Sequence, residues 1–234
     1  MSRSVLLILI ALFLFQTSAE VEINAEPHHH LIFKNDQIRV FNVEVPAGSQ
    51  TLMHWHRHDY IYVTIGETEL SNEVEGKQPV TLKLQDGETR FSPGPFAHLV
   101  RVSPGQPFHN ITVELLQDEK LRRLPEHWDP AHPEEDRGLN ILHGGTEEIL
   151  FVKDGVRATE FELQPAGVVP MHRHTGPHLL VAVTDLEIRS DVEGQGPMPG
   201  HFKSGDSKWL PGGYSHTITN VGHHPAKFVT LEFR

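Results

Sequence analysis

The feature that most constrains this chain is that it repeats itself. Pro46-Ala47-Gly48, His54-Trp55-His56 and Asp59, followed by Gly87, Pro93 and His98, recur as Pro165-Ala166-Gly167, His172-Arg173-His174 and His178, followed by Gly205, Pro211, Gly213 and His216. His54, His56, Gly87, Pro93 and His98 have partners 118 residues on. Pro46, Gly48 and Asp59 pair with Pro165, Gly167 and His178 at 119, which implies a few single-residue gaps between the copies. Periods of 20 to 50 residues signal solenoids, but a period near 118 is the length of a whole small domain. The chain therefore reads as two copies of one module. Its 234 residues suffice for one large or two small cores. A duplicated array of imidazoles at fixed spacing further implies that each copy holds a metal.

Short apolar segments set the local structure. Leu31 to Phe33, Ile38 to Val45, Tyr60 to Ile65, Val80 to Leu84, Phe96 to Val102 and Ile111 to Leu116 are separated by Gly, Pro, Asn and Asp. The second half repeats this with Ile149 to Val152, Thr159 to Leu163, Leu179 to Val183, Ser207 to Leu210, Thr217 to Val221 and Phe228 to Phe233. Turn signals about every 8–12 residues predict an all-β sandwich or barrel and not βαβ units. Asp86-Gly87, Asp154-Gly155 and Pro211-Gly212-Gly213 fit the turns. Gln117 to Glu148 breaks the rhythm, and Pro125, Pro130 and Pro133 forbid a long helix there. The expected layout is a module over 28–117, a connection over 118–147 carrying solvated His127 and His132, and a second module over 148–234.

Residues 1–19 read as a secretory signal peptide. Arg3 supplies the positive charge, Val5 to Phe15 is an unbroken run of 11 apolar residues, and Thr17-Ser18-Ala19 is a small-residue cleavage site. Eleven residues are too few to span about 30 Å of hydrocarbon, so a periplasmic or secreted protein is expected. The alternative is a retained anchor, in which case the membrane is met only through this segment. With 20 basic against 31 acidic residues the net charge is −11. That excludes nucleic acid and anionic membrane surfaces, which need a basic face. An association of identical chains is compatible with the sequence, and a small-molecule ligand or substrate is the expected partner. No cysteine is present, so any metal site is built from His, Asp, Glu or backbone oxygen.

Residues two apart on a strand face the same side. His54 and His56 therefore project together, as do His172 and His174. His98 and His216 follow a Gly/Pro turn and return from a later strand. Only a closed sheet brings them to the earlier pair, and convergence in a barrel mouth makes a site for a divalent first-row transition metal. Neutral imidazole suits Fe, Ni, Cu and Zn, whereas a carboxylate moves preference towards Mn.

The pattern resembles the cupin superfamily, and the chain after its first residues is similar to a two-domain bicupin. The first cupin motif runs Gly, five residues, His-x-His, three or four residues, Glu, six residues, Gly. Gly48, His54, His56 and Gly66 match it, with Asp59 standing for the Glu after only two residues. The second copy offers Gly167, His172, His174 and, for the Glu, His178, with Asp185 in the final Gly position. The second motif, Gly, five residues, Pro-x-Gly, two residues, His, three residues, Asn, is complete as Gly205, Pro211, Gly213, His216 and Asn220. In the first half Pro95 and Val102 replace its later Gly and its Asn. The resemblance covers about residues 30–116 and 148–234 and implies two tandem jelly-roll (double-stranded β-helix) barrels.

The implied ligands are His54, His56, Asp59 and His98 in one half and His172, His174, His178 and His216 in the other. Asp is shorter than Glu by about 1.5 Å, which weakens Asp59 as a ligand, and His58 is an alternative there. Four neutral imidazoles could also close a structural tetrahedral Zn site in the second half. His28-His29-His30 reads as a surface tail, His223 and His224 as an exposed turn. Trp55, Trp209, Met53 and Met171 read as packing residues.

The expected function is a mononuclear metal oxygenase of dioxygenase type acting on a small organic molecule. The second reading is a non-catalytic small-ligand or metal-binding module. An oxalate-decarboxylase role is disfavoured, because that group relies on the Glu missing here. Turnover is expected in the second half, where Leu180 and Ala182 give a less hindered wall than Ile61 and Val63, taken as their equivalents.

Overall fold

The computed structural model describes residues 20–117, 138–153 and 155–234. The proposed signal segment, most of the connection with His127 and His132, and Asp154 lie outside them. Among the described residues all regular structure is β-strand except one 3₁₀ turn, Ile23–Ala25.

The first half comprises β1 (Val21–Glu22), β2 (His29–Lys34), β3 (Ile38–Val45), β4 (His54–His56), β5 (Tyr60–Ile65), β6 (Thr68–Val74), β7 (Val80–Leu84), β8 (Thr89–Ser92), β9 (Phe96–Val102) and β10 (Phe108–Leu115). They form two five-stranded sheets, β1-β4-β9-β6-β7 and β2-β3-β10-β5-β8. The second half comprises β11 (Gly138–Lys153), β12 (Val156–His174), β13 (His178–Ala182), β14 (Leu186–Val192), β15 (Pro197–Phe202), β16 (Ser207–Leu210), β17 (Tyr214–Asn220) and β18 (Ala226–Phe233). Here β12 runs through both layers, pairing with β18 over Val156 to Leu163 and with β17 over Val168 to His174. The second half is therefore one continuous sheet, β15-β14-β17-β12-β18-β13-β16 with β11 on β12, folded into a near-closed barrel. This is the all-β jelly-roll architecture that the resemblance implies. β11 begins at Gly138, inside the stretch expected to be connection.

Strand alternation decides what each residue faces. In β3, β5 and β10, residues Ile38, Val40, Ile61, Val63, Ile111 and Val113 point away from their own barrel. They pack on Val156, Ala158, Leu179, Val181, Val229 and Leu231 from the same outward positions of the other half. Phe33 stacks on Trp209 at 5.8 Å across this seam, and Lys227 Nζ donates to the Asp86 carbonyl at 2.9 Å. The strands between are buried on both faces, which accounts for the nearly unbroken apolar runs of β10, β13 and β18. The opposite alternates, such as Phe41 and Val43, or Phe161 and Phe228, fill the two barrel interiors.

The two halves superimpose in register without the gaps inferred above. β3 pairs with β10 as Val45 with Phe108, and β12 pairs with β18 as Leu163 with Ala226. Gly87 N–H donates to the Thr64 carbonyl at 2.9 Å, and Gly205 N–H to the Ala182 carbonyl at 2.8 Å. Every one of these pairs is 118 apart. The left-handed residue of the loop before the His-x-His strand is Gly48 (φ 72°) in one half and Ala166 (φ 63°) in the other. The Pro-Ala-Gly likeness at 119 is thus one residue out of structural register. Asp59 is also out: Glu114 lies opposite Tyr60, and Glu232 opposite His178. His178 corresponds to Tyr60, whose ring starts β5, while Asp59 precedes the strand. By the same register Leu180 and Ala182 match Tyr62 and Thr64, and Ile61 and Val63 belong to the inter-half seam.

Candidate metal centres

In each barrel the short His-x-His segment lies beside the returning strand, His54 opposite His98 and His172 opposite His216. Period-two alternation sends both histidines of the pair inwards and the residue between them out. Trp55 accordingly donates to Glu20 and lies under Arg57 on the outside. The ring centroids of His54, His56 and His98 are 5.2, 4.6 and 5.0 Å apart. The corresponding separations among His172, His174 and His216 are 4.9, 4.5 and 5.1 Å. The two clusters are near copies.

In the second cluster the three Nε2 atoms form a triangle with edges of 3.1, 3.1 and 3.0 Å. These contacts cannot all be hydrogen bonds, because each neutral ring carries a single N–H and His172 spends its own on the far side. His172 Nδ1 donates to the Pro170 carbonyl at 2.9 Å, and His216 Nδ1 meets Ser190 Oγ at 2.7 Å. His174 Nδ1 faces Glu232 Oε2 at 3.7 Å. A proton held at Nδ1 leaves a lone pair at Nε2. Three lone pairs aimed at one point repel unless a cation lies between them. For three mutually perpendicular ligands at a metal–nitrogen distance of about 2.1 Å, nitrogens fall about 3.0 Å apart, so the residues fit a metal with further positions open.

The first cluster repeats the backing position for position. His54 Nδ1 donates to the Leu52 carbonyl at 2.8 Å, His98 Nδ1 meets Asn72 Oδ1 at 2.7 Å, and His56 Nδ1 faces Glu114 Oε1 at 3.6 Å. His54 Nε2 is buried with no hydrogen-bond partner, so its lone pair is placed to ligate a cation. Such outer groups fix ring orientation and basicity in metal sites.

Burial favours the neutral form of His54, His56, His98, His172, His178 and His216. It is the leading cause in every case, lowering His54 to about 4 and His178 and His216 each to about 3, with neighbouring imidazoles adding to it. His56 and His98 lie well below the usual range for the same reason.

The structure departs from the expected ligand sets at the fourth position. Asp59 is turned away from the imidazoles, its Oδ1 accepting from Gly94 N–H at 2.8 Å. The fourth ring of the first cluster is His29, 9% exposed, with its centroid 4.5 Å from that of His54. His29, His54 and His56 bring their ligand nitrogens within 4.8 Å of one another. The His28–His30 tract is therefore no surface tail, because β2 begins at His29 and turns its first ring inwards. Buried Glu26 holds His29 Nδ1 at 2.6 Å and also meets His28 Nδ1 at 3.0 Å. Burial alone would raise Glu26; the hydrogen bonds from His29 and His28 instead hold its carboxyl at about 2.

In the second half the converging group is His172, His174 and His216. His178 lines the same cavity but stacks flat on His174, centroids 3.8 Å apart, as Tyr60 stacks on His56 at 4.0 Å. Tyr214 Oη lies 3.4 Å from His178 Nε2. Opposite Phe161, where β2 places His29 opposite Val43, β11 carries Glu147, which accepts from Asn140 at 3.2 Å. Met171, expected to pack, is 57% exposed.

A further pair escaped the sequence reading. Glu114 in β10 and Glu232 in β18 are carboxylates buried in the two doubly covered strands, paired with Arg39 and Arg157 respectively. Both couples obey the 118 offset. Burial raises Glu114 against the pull of Arg39. Glu232 faces the same burial but is held down by His174, Arg157 and the Gly176 N–H. Thr175 N–H also donates to it, at 3.0 Å.

No protein-family model matches the sequence, and no curated protein matches it. In three dimensions the chain is similar to solved oxalate decarboxylases. The Lactobacillus farciminis enzyme in a formate complex gives a TM-score of 0.62 at 14% identity, over 88% of this chain and 84% of that one. A Bacillus subtilis enzyme studied for its Mn(II) centres gives 0.61 at 12%, over 90% and 76%. A third, studied for a reaction-specificity switch, gives 0.60 at 14%, over 85% and 69%. At such identities the likeness is one of fold: the chain has the all-β architecture of these enzymes.

Proposed function

We propose that this protein is a metal-dependent bicupin enzyme, an oxygenase of dioxygenase type acting on a small organic molecule, and that its first 19 residues direct it out of the cytoplasm. The observation that carries the reading is the second Nε2 triangle, 3.0–3.1 Å on each edge, with an oxygen behind each Nδ1 at 2.9, 2.7 and 3.7 Å. His172, His174 and His216 would hold a divalent first-row ion there, and His54, His56, His98 and His29 one in the first half. When bound, such an ion supplies Lewis acidity and electron transfer. The Pro170 carbonyl holds the His172 proton outside the cavity, and Ser190 and Glu232 stand behind His216 and His174, so all three rings turn Nε2 inwards. Phe161, Leu180, Ile188 and Ile218 make the walls apolar and exclude water from a bound substrate. The neighbours' use of similar barrels, one with Mn(II) centres, supports a metal of this class.

Oxygenation is preferred to decarboxylation because a mostly apolar cavity suits an uncharged or delocalised reacting group better than a compact dianion. The test is metal analysis of the purified chain combined with O₂ uptake on a panel of enols. Uptake that needs the metal and is lost in His172→Ala and His216→Ala supports the reading. A fully loaded chain that consumes no O₂ with any enol refutes the oxygenase assignment.

A further inference from the structure

The geometry points to Lys208 as the anchor for an anionic group of the substrate in the second cavity, which makes that substrate a largely apolar organic acid. The inference rests on the second half being the reacting one and names what it accepts. The second cavity has a free volume of about 190 Å³ and the first about 50 Å³. No aspartate or glutamate lines either, and the first is lined by no lysine or arginine. Lys208 lines the second.

Four cations of this half have carboxylate partners. Lys203 pairs with Asp185, Lys227 with Glu160, Arg189 with Asp191 and Arg157 with Glu232. Lys208 has no acidic partner among the described residues. Its counterpart in the first half, Arg90, is bound to Glu88. Lys208 is an exposed residue of the edge strand β16, so it stands at the rim of the chamber. An unpaired ammonium at the mouth of an apolar, acid-free chamber favours an anion, the more so with a metal ion inside.

Register separates the two ends of the site. Leu210 lies opposite His178, and Lys208 opposite Leu180, one rung along on the same face. One rung separates the backbones by about 7 Å, and Phe161, Leu180 and Ile218 line the cavity. A ligand with one end at the imidazoles and its anionic end at Lys208 therefore carries an apolar body between them. Oxalate has no such body.

The probes are 3-phenylpropanoate, its neutral amide and oxalate, titrated calorimetrically into the full chain, metal-free and Ni-loaded. The acid should bind at least tenfold tighter than the amide in both forms, because Lys208 is not a metal ligand. Lys208→Gln should abolish the preference while leaving amide binding unchanged, and Lys208→Arg should keep it. Equal affinity for acid and amide, a preference that survives Lys208→Gln, or no binding of the acid at millimolar concentration would each overturn the assignment. Oxalate that binds more tightly than the acid and depends on Lys208 would overturn the spacing. A preference intact in a protein that binds no metal leaves Lys208 standing and removes the enzyme reading instead.

Discussion

Acid should unfold the metal-free protein well before it protonates the histidines responsible. His54, His178 and His216 titrate at about 4, about 3 and about 3 in the folded chain, chiefly through burial, against about 6.5 for an exposed imidazole. A folded pKa below the unfolded one means that the unfolded chain binds the proton first. Stability is therefore full above about pH 6.5 and falls as pH drops towards 4 and 3. Between pH 7 and pH 5 proton uptake favours the unfolded state by about 2 kcal/mol per histidine, and the folded state gains roughly 0.1 kcal/mol or less. Three independent rings would cost about 6 kcal/mol, within the whole stability of an ordinary domain, about 5–15 kcal/mol. His178 and His216 share one cavity, so that sum is an upper bound. Urea melts of chelator-treated protein at pH 7, 6 and 5 measure the loss directly. His178→Leu should flatten the dependence by up to about 1.4 kcal/mol per pH unit. Excess metal should shift the decline to lower pH, because ion and proton compete for the same nitrogens. A free energy that changes by less than about 1 kcal/mol over this range would refute the argument.

Four further outcomes follow from the site. Glu232→Gln should weaken metal binding in the second half by about 10- to 100-fold in a chelator competition, and should cost about 3–5 kcal/mol in a melt because Arg157 loses its buried partner. With the second site removed by His172→Ala and His174→Ala, His29→Gln should lower the affinity of the remaining site at least tenfold; unchanged affinity would make His29 a packing residue. Asp59→Ala should cost about 1 kcal/mol through the lost bond to Gly94 and leave metal stoichiometry as it was. Ala166→Gly should stabilise the chain by about 0.5–1 kcal/mol, since it frees a side chain held at φ 63°, and a loss of stability there would show that the methyl packs.

The barrel class, and many strands nearly to the residue, were legible because alternating apolar runs and turn residues are local signals. Ile38–Val45, Tyr60–Ile65, Val80–Leu84 and Phe96–Val102 are strands as read. Thr68–Val74 and Leu186–Val192 went unread because their exposed faces carry polar residues that mask the alternation. The inward histidines could be found from their spacing alone. His29 could not, because it sits in a run of three imidazoles and only the start of β2 decides which one turns in. Asp59 misled for a related reason: a carboxylate near the family's Glu position looks like a ligand, but the strand begins one residue later and gives the place to Tyr60. Arg39–Glu114 and Arg157–Glu232 were within reach, had the offset of 118 been applied to charged residues as well as to histidines.

The seam between the barrels makes the copies dependent on each other. Eight aliphatic or aromatic side chains from each half form one apolar layer, and a half on its own would present its eight to water. The two metal centres then share a single unfolding event. An ion captured in either barrel should then slow hydrogen exchange throughout both, the more tightly bound centre stabilising the weaker. A duplicated chain of this kind can let one site drift in ligand set and metal preference without losing its fold, which is the relation seen between the His29 and Glu147 positions of the two halves.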